Sequence, residues 1–382
     1  MSGKSNIENE AFAEKNGLAG IDLLRFLLAV IILIYHFPHF DNIHFSNLDG
    51  VNLKDLLSGQ KDEVLLLNLP FKSSLSIVYQ YGDFAVRIFW MISGVIFFLV
   101  YLDHIKTNAL SFSKFIYLRF SRLYPLHILT LVLIAVLQYI YFQKFGDYFI
   151  YKNNDTVHFM LNIFMINYWN AQFGYSFNGP FWSVSVEIFV YIVFYFFAKT
   201  TNPNIKYTLW LTAISFAFYY LGILSPFNEC LLYFFAGCFI AENIRGFKRK
   251  QIFVLTFILM LFLLLKYIPS LSGLADTGTV NSYLLLNFSG CVVGTFIYLF
   301  RNSRERRAKS FRIIGNITYA VYMIHIPLQI ILILLFYTNG RSFYMNNIFF
   351  SSYLLINITA GYLLFRYVEN PSKKYLRSSG KF

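Results

Sequence analysis

The sequence predicts an all-α integral membrane protein, a bundle of about ten transmembrane helices with both termini in the cytoplasm. Three observations predict it. Of 382 residues, 57% are hydrophobic and 20% aromatic while 13% are charged, against roughly 25% charged in an ordinary soluble domain. Apolar segments of membrane length recur along the whole chain, and they must be helices because an open sheet edge cannot be satisfied in lipid. Lys and Arg fall unevenly in the breaks between those segments, 23 on one side and six on the other, which places the richer side in the cytoplasm.

The ten expected spans run at 20–37, 82–101, 123–142, 181–198, 206–222, 229–242, 251–267, 282–300, 313–336 and 347–366. Residues 1–19 are polar, mixed in charge and without a small-residue cleavage site, so they read as a cytoplasmic tail ahead of a retained first span. The membrane domain then covers 20–377, with 378–382 as a second tail. The sixth span is short and contains Gly237, which favours a tilted or partly interfacial helix. The outer breaks 38–81 and 143–180 are the longest and are expected to cover an outward-facing mouth, with short interfacial helices near 63–71 and 157–166. The formal charge of +13 would suit nucleic acid, but it lies in short breaks where topology and an anionic inner leaflet account for it, so no nucleic-acid partner is expected. Cys230, Cys238 and Cys291 sit in or beside apolar runs with no metal or disulfide spacing.

The first span carries the polar residues Asp22, Arg25 and His36, and an ionisable group at membrane depth is costly enough to mark function or a buried partner. Arg25 and His36 are eleven residues apart, about 16 Å of helical rise and about 20° of rotation, so they share a face. In the second span Arg87 is either a snorkelling anchor or a substrate contact, while Ser93 and Gly94 suit close helix packing. Arg119 and Arg122 share a helix face at the inner side, where they serve either topology or the grip on a phosphate-rich ligand.

The fourth span opens with Trp182, an interface anchor, and places Ser183 and Glu187 one turn apart. Glu187 and His36 lie at similar depth, which allows a base and its orienting carboxylate; a structural ion pair such as Glu187 with Arg87 explains the glutamate as well. In the ninth span His325 follows Tyr322 by three residues and precedes Pro327, and it either orients a substrate or is a hydrogen-bonded core residue. Arg366 and Glu369 at the end of the last span read as a structural cap.

Taken together these residues resemble acyltransferase family 3, which includes bacterial O-acetyltransferases of O-antigen and exopolysaccharides. The arginine followed eleven positions later by histidine falls on Arg25 and His36, and the second-span signature on Ala85 to Gly94, with Arg87 where many relatives hold aspartate. The paired arginines before Tyr-Pro fall on Arg119 and Arg122. The Trp-Ser-x-Ser-x-Glu pattern falls on Trp182, Ser183, Ser185 and Glu187, with Ile188 where a second acid is common. Tyr322, His325 and Pro327 match a late-span motif with one residue fewer between Tyr and His, and Arg366, Glu369 and Pro371 match the closing one.

The resemblance implies transfer of an acyl group, most often acetyl, from cytoplasmic acyl-CoA to a hydroxyl of a surface or lipid-linked saccharide, in the inner membrane of a bacterium. Acyl-CoA is then a co-substrate and no cofactor is held permanently. On this reading Arg25, Arg119 and Arg122 hold the anionic donor, His36 is the general base and Glu187 orients it or stabilises its imidazolium. Arg87, Trp182, Ser183, Ser185, Tyr322 and His325 bind substrate or support the site. A polytopic secondary transporter or lipid-linked glycan carrier is the alternative, with the buried charges as its pathway. The predicted orientation is checked by placing a cysteine at residue 170: a membrane-impermeant thiol reagent is expected to label it in intact cells, and protection would reverse the topology.

Overall fold

The computed structural model describes residues 2–42, 69–170, 174–200, 205–220, 226–244, 277–300, 305–338 and 341–379. Among them every regular element is helical. The helices are α1 (Ser2–His36), α2 (Lys72–Tyr81), α3 (Phe84–Lys106), α4 (Phe112–Phe145), α5 (Thr156–Ile163), α6 (Trp182–Thr200) and α7 (Ile205–Tyr220). They continue with α8 (Phe227–Ile244), α9 (Thr277–Phe300), α10 (Glu305–Asn316), α11 (Thr318–Phe336), the short α12 (Arg341–Tyr344), α13 (Asn347–Leu364) and α14 (Asn370–Ser379).

Six stretches among the described residues are long and apolar enough to cross a membrane: Leu18–Phe40, Phe84–Lys106, Phe112–Phe145, Gly179–Thr200, Arg306–Phe336 and Asn347–Ser379. They correspond to the first four and the last two expected spans, and the chain is an all-α polytopic membrane protein. The other four expected spans differ. Residues 251–267 lie outside the described residues, and Leu285–Phe300 is a shorter apolar helix. α7 has 16 residues. α8 is bounded by Glu229 and Glu242, which leaves a purely apolar stretch of about 18 Å. α1 begins at Ser2, so the expected tail is helical too. The outer piece near 157–166 forms α5, whereas most of 63–71 lies outside the described residues.

The described chain divides into two compact units. The first comprises residues 1–25, 86–116 and 186–315. Its tightest seam joins α3 to α8 through two glycines. A Cβ on Gly94 would stand 1.9 Å from the Phe234 carbonyl oxygen, and one on Gly237 would stand 2.0 Å from that of Met91. Lipid supplies no hydrophobic drive between helices, so such backbone approach is how they gain contact. Phe97 sits beside this seam against Phe115, Tyr191, Phe194 and Phe234, with ring centroids 4.5–5.8 Å apart. Arg87 Nε donates to Glu229 Oε1 at 2.6 Å, so the ion pair observed for Arg87 joins α3 to α8.

The second unit comprises residues 26–85, 117–185 and 316–382. α11 and α13 lie against each other at Gly361, where a Cβ would meet Val321 Cγ2 at 2.3 Å. The outer segment after α4 is folded back onto it by buried polar side chains. Gln138 donates to the Phe149 carbonyl at 3.0 Å and accepts from its N–H at 2.9 Å, and His127 Nε2 meets the Asn162 carbonyl at 2.7 Å. Asp155 caps α5 by accepting from the His158 N–H, and its second oxygen meets His158 Nδ1 at 2.6 Å. The His158 backbone bond, followed by the side-chain bond, holds the Asp155 carboxyl below its ordinary range.

At the end of the last long helix a π turn covers Phe365–Glu369. Pro371 has no N–H to continue an α-helical ladder, and the Asn370 N–H reaches back to the Phe365 carbonyl. The wider turn changes the phase of the helix. Arg366 Nη1 meets Tyr362 at 3.2 Å, and Glu369 is buried.

The α3–α8 seam yields a direct test. Gly94→Ala and Gly237→Ala are each expected to destabilise the purified protein by about 1–3 kcal/mol, because the new methyl meets backbone that must move. Thermal unfolding in detergent checks this, and an unchanged midpoint for both variants would deny the close approach.

Candidate active site

The second unit brings together polar residues from four parts of the chain at the end of α1. His36 is the last residue of α1, and a 3₁₀ turn over Phe37–Asn42 follows. Phe37 anchors that turn among Phe40, Phe349, Phe350 and Tyr353, with centroids 4.9–6.3 Å away. The carbonyls of a last helical turn lack intrahelical donors, and Gln329 Nε2 supplies one to the His36 carbonyl at 2.8 Å. The partial negative charge of a helix C-terminus favours a cation there, so the backbone around His36 supports an imidazolium when one forms.

His325 Nε2 stands 3.1 Å from His36 Nδ1, with the rings stacked at a 5.0 Å centroid separation and 25° between planes. His325 Nδ1 lies 2.6 Å from the Tyr322 carbonyl oxygen. These two distances assign the protons. A carbonyl accepts only, so Nδ1 of His325 carries the hydrogen, and a neutral His325 then turns a lone pair at Nε2 toward His36. His36 Nδ1 must therefore be the donor. The remaining nitrogen, His36 Nε2, holds the free lone pair. Behind the pair stands His39, 5.0 Å from His36 between centroids and beside Gln329.

A turn at Asn178–Phe181 closes the site from the other side. Pro327 lacks the N–H that would reach Met323 four residues earlier. Asn178 Nδ2 donates to the Met323 carbonyl at 2.8 Å in its place. Beside it Tyr322 donates to the Pro180 carbonyl at 2.6 Å, and Ser183 Oγ lies 2.9 Å from the Tyr322 oxygen and 3.2 Å from the Pro180 carbonyl. Tyr322 and Ser183 thus direct their protons to acceptors within this triangle, which locks α6 and α11 to the turn. Gly179 lets the turn approach Tyr151, whose ring would stand 2.1 Å from a Cβ at that position.

The Trp-Ser-x-Ser-x-Glu stretch divides between two tasks, because residues two apart on a helix point nearly opposite ways. Ser183 faces Tyr322, while Ser185 faces the outer segment: its carbonyl accepts from Trp169 Nε1 at 2.9 Å, and its hydroxyl accepts from the Tyr168 N–H at 3.5 Å. Trp182 packs against Tyr168 and Tyr175. Glu187 lies one turn beyond Ser183 and, with Glu229, acts electrostatically on Cys230 in the first unit. Arg25 pairs with Asp22 at 3.5 Å on α1.

Arg119 and Arg122 stand one turn apart on α4, in the same unit as the histidines. Tyr319 Oη donates to the Leu123 carbonyl at 3.0 Å, so the residue after Arg122 touches the side chain six positions before His325. Six helical residues rise about 9 Å. The arginine pair therefore lies on the order of 10–15 Å below the histidines along the helix axes, closer than two opposite membrane surfaces would place them.

A family model described as an acyltransferase domain matches residues 18–366, nearly the whole chain. The chain belongs to acyltransferase family 3. Its membrane-spanning helices and its family together make it a membrane acyltransferase. No curated protein and no solved structure matches the chain. His39, Gln329 and Asn178 are site neighbours that sequence reasoning missed. His39 follows His36 by one turn, Gln329 follows His325 by one turn, and Asn178 was signalled by the carbonyl that Pro327 leaves without its usual donor.

The Asn178 bond can be tested against its cause. Asn178→Leu is expected to cost about 1–3 kcal/mol by leaving a buried carbonyl unpaired. In a Pro327→Ala background, where residue 327 regains its N–H, the same change should cost less. Equal losses in a double-mutant cycle would show that Asn178 does not replace that amide.

Proposed function

We propose that this membrane acyltransferase moves an acyl group, acetyl first among the candidates, from cytoplasmic acyl-CoA to a hydroxyl of a surface or lipid-linked saccharide at the outer side of a bacterial cytoplasmic membrane. The observation that carries the proposal is the chain of contacts from the Tyr322 carbonyl through His325 to His36 Nδ1, from which Nε2 of His36 is inferred to be the base, in the same unit as the proposed donor site at Arg119 and Arg122. An extended pantetheine arm is on the order of 15–20 Å long at ordinary bond lengths. That length covers the 10–15 Å between the arginines and the histidines.

The step balances without an external proton. His36 Nε2 takes the proton of the acceptor hydroxyl as the oxygen attacks the thioester carbonyl. The tetrahedral intermediate collapses with cleavage of the C–S bond, and the imidazolium returns its proton to the departing thiolate as free CoA. While the imidazolium exists, the end of α1 and His325 Nε2 stabilise its charge. Glu187 is assigned a share of that charge on the sequence pattern, and Arg25 a place on the path of the anionic donor. Trp169 and Tyr175 are 37% and 38% exposed on the outer segment, and their flat apolar faces suit the C–H face of a sugar ring. Residues 20–377 are assigned to the acyltransferase, with 1–19 and 378–382 as flanking tails.

Release of free CoA by the purified protein, given acetyl-CoA and a saccharide extract of the host, tests this reading. Turnover is expected to require the extract and to fall at least 100-fold in His36→Ala, with Glu187→Gln intermediate. Arg119→Ala with Arg122→Ala should weaken donor binding about tenfold or more. A protein that neither binds acetyl-CoA nor releases CoA would move the assignment to a transporter of lipid-linked glycan.

A further inference from the structure

α14 returns to the start of the membrane-crossing part of α4. Tyr117 Oη donates to the Leu376 carbonyl at 2.5 Å. Arg377 donates from Nε to Ser121 Oγ and from Nη2 to the Leu118 carbonyl, both at 3.1 Å. These three bonds lay residues 376–377 along residues 117–121, the stretch that also carries Arg119 and leads into Arg122. Lys373 lies one turn before Arg377 and so shares its face.

The charges gathered there are unbalanced. Lys373 is half-buried and stands in the repulsive field of Arg122, Arg377 and Lys374, offset by the buried carboxylate of Glu369. Four cations around one carboxylate repel one another. A lysine that served topology alone would extend its flexible stem to water or to headgroups, yet this one is half-buried on the face of α14 whose Arg377 is bonded to the turn of α4 that leads into Arg122. Arg377 spends two of its donors on α4 and sets the distance between the helices. Lys373 keeps three donors and a compact charge suited to a phosphate group.

We propose that Lys373 and Arg122, held together by the Arg377 clasp, form a phosphate-binding cradle for the nucleotide end of the acyl-CoA donor. The inference rests on the donor assignment made above and adds to it the C-terminal helix as part of the donor site. Arg119 and Arg122 approach from α4 and Lys373 from α14, so the phosphates are gripped from two sides. The pantetheine arm is then directed along α4 and α11 toward His325.

Binding to the full-length protein in nanodiscs of neutral phosphatidylcholine tests the cradle, with CoA and pantetheine, which lacks every nucleotide phosphate, as probes. Lys373→Ala is expected to weaken CoA about tenfold or more, to leave pantetheine binding unchanged, and to keep the thermal midpoint of the parent. Lys374→Ala, on the neighbouring exposed position, should change CoA affinity far less. Equal CoA affinity in the parent and Lys373→Ala overturns the cradle while leaving the donor assignment in place; the cationic cluster then belongs to lipid headgroups, shown by anionic lipid stabilising the parent but not the variant. Failure of the parent to bind CoA overturns both.

Discussion

The hydrogen bond from His325 Nδ1 to the Tyr322 carbonyl is the constraint on which the site depends. It assigns one proton, and through the 3.1 Å contact it assigns the next, so that His36 presents a lone pair at Nε2. Two imidazoles without such an anchor would exchange tautomers, and the free nitrogen would be a base in some molecules and a donor in others. The bond needs Tyr322 and His325 on one stable helix, and α11 is stable there because it is buried along most of its length. The local break at Pro327 is covered from outside by Asn178. Packing of α11 and the electronic state of His36 are therefore one arrangement.

The same economy governs the rest of the second unit. In hydrocarbon an unpaired peptide group costs several kcal/mol, and at three departures from regular helix among the described residues a side chain supplies the partner. Gln329 caps the end of α1, Asn178 replaces an amide lost to proline, and Gln138 pairs with both backbone groups of Phe149. The first unit solves a different problem, contact between apolar helices, and solves it with glycine. Gly94 and Gly237 bring backbones together where lipid and leucine attract equally.

Much of this was legible in the sequence. Six spans, the matched positions of Arg25 and His36 on α1, and the stacking of Ser183 over Glu187 follow from hydropathy and helical period. Pairings between distant residues did not follow. His36 and His325 are 289 residues apart, and Arg87 finds Glu229 across 142, separations over which periodicity carries no information. α8 was legible as a short apolar helix containing Gly237, but its close approach to Gly94 of α3 was not, because the two glycines are distant in the chain. Arg366 and Glu369 read as a structural cap, and the π turn that covers them carries no hydropathy signal. Span counting assigns each residue to a surface and gives no interval between the arginines and the histidines, whereas Tyr319 reaching Leu123 sets it through the protein.

Much of the outer segment is tied down through its main chain, with Trp169 Nε1 on the Ser185 carbonyl as a side-chain tie beside it. Gln138 holds the Phe149 peptide, His127 the Asn162 carbonyl, Asn153 the Tyr175 carbonyl, and Asn154 the Phe177 N–H. A scaffold that reads the peptide leaves many rim side chains free to be replaced without losing its shape. Exposed rim residues outside these bonds, such as Val157 and Phe164, can then be exchanged, changing what the surface of the segment meets without loosening it.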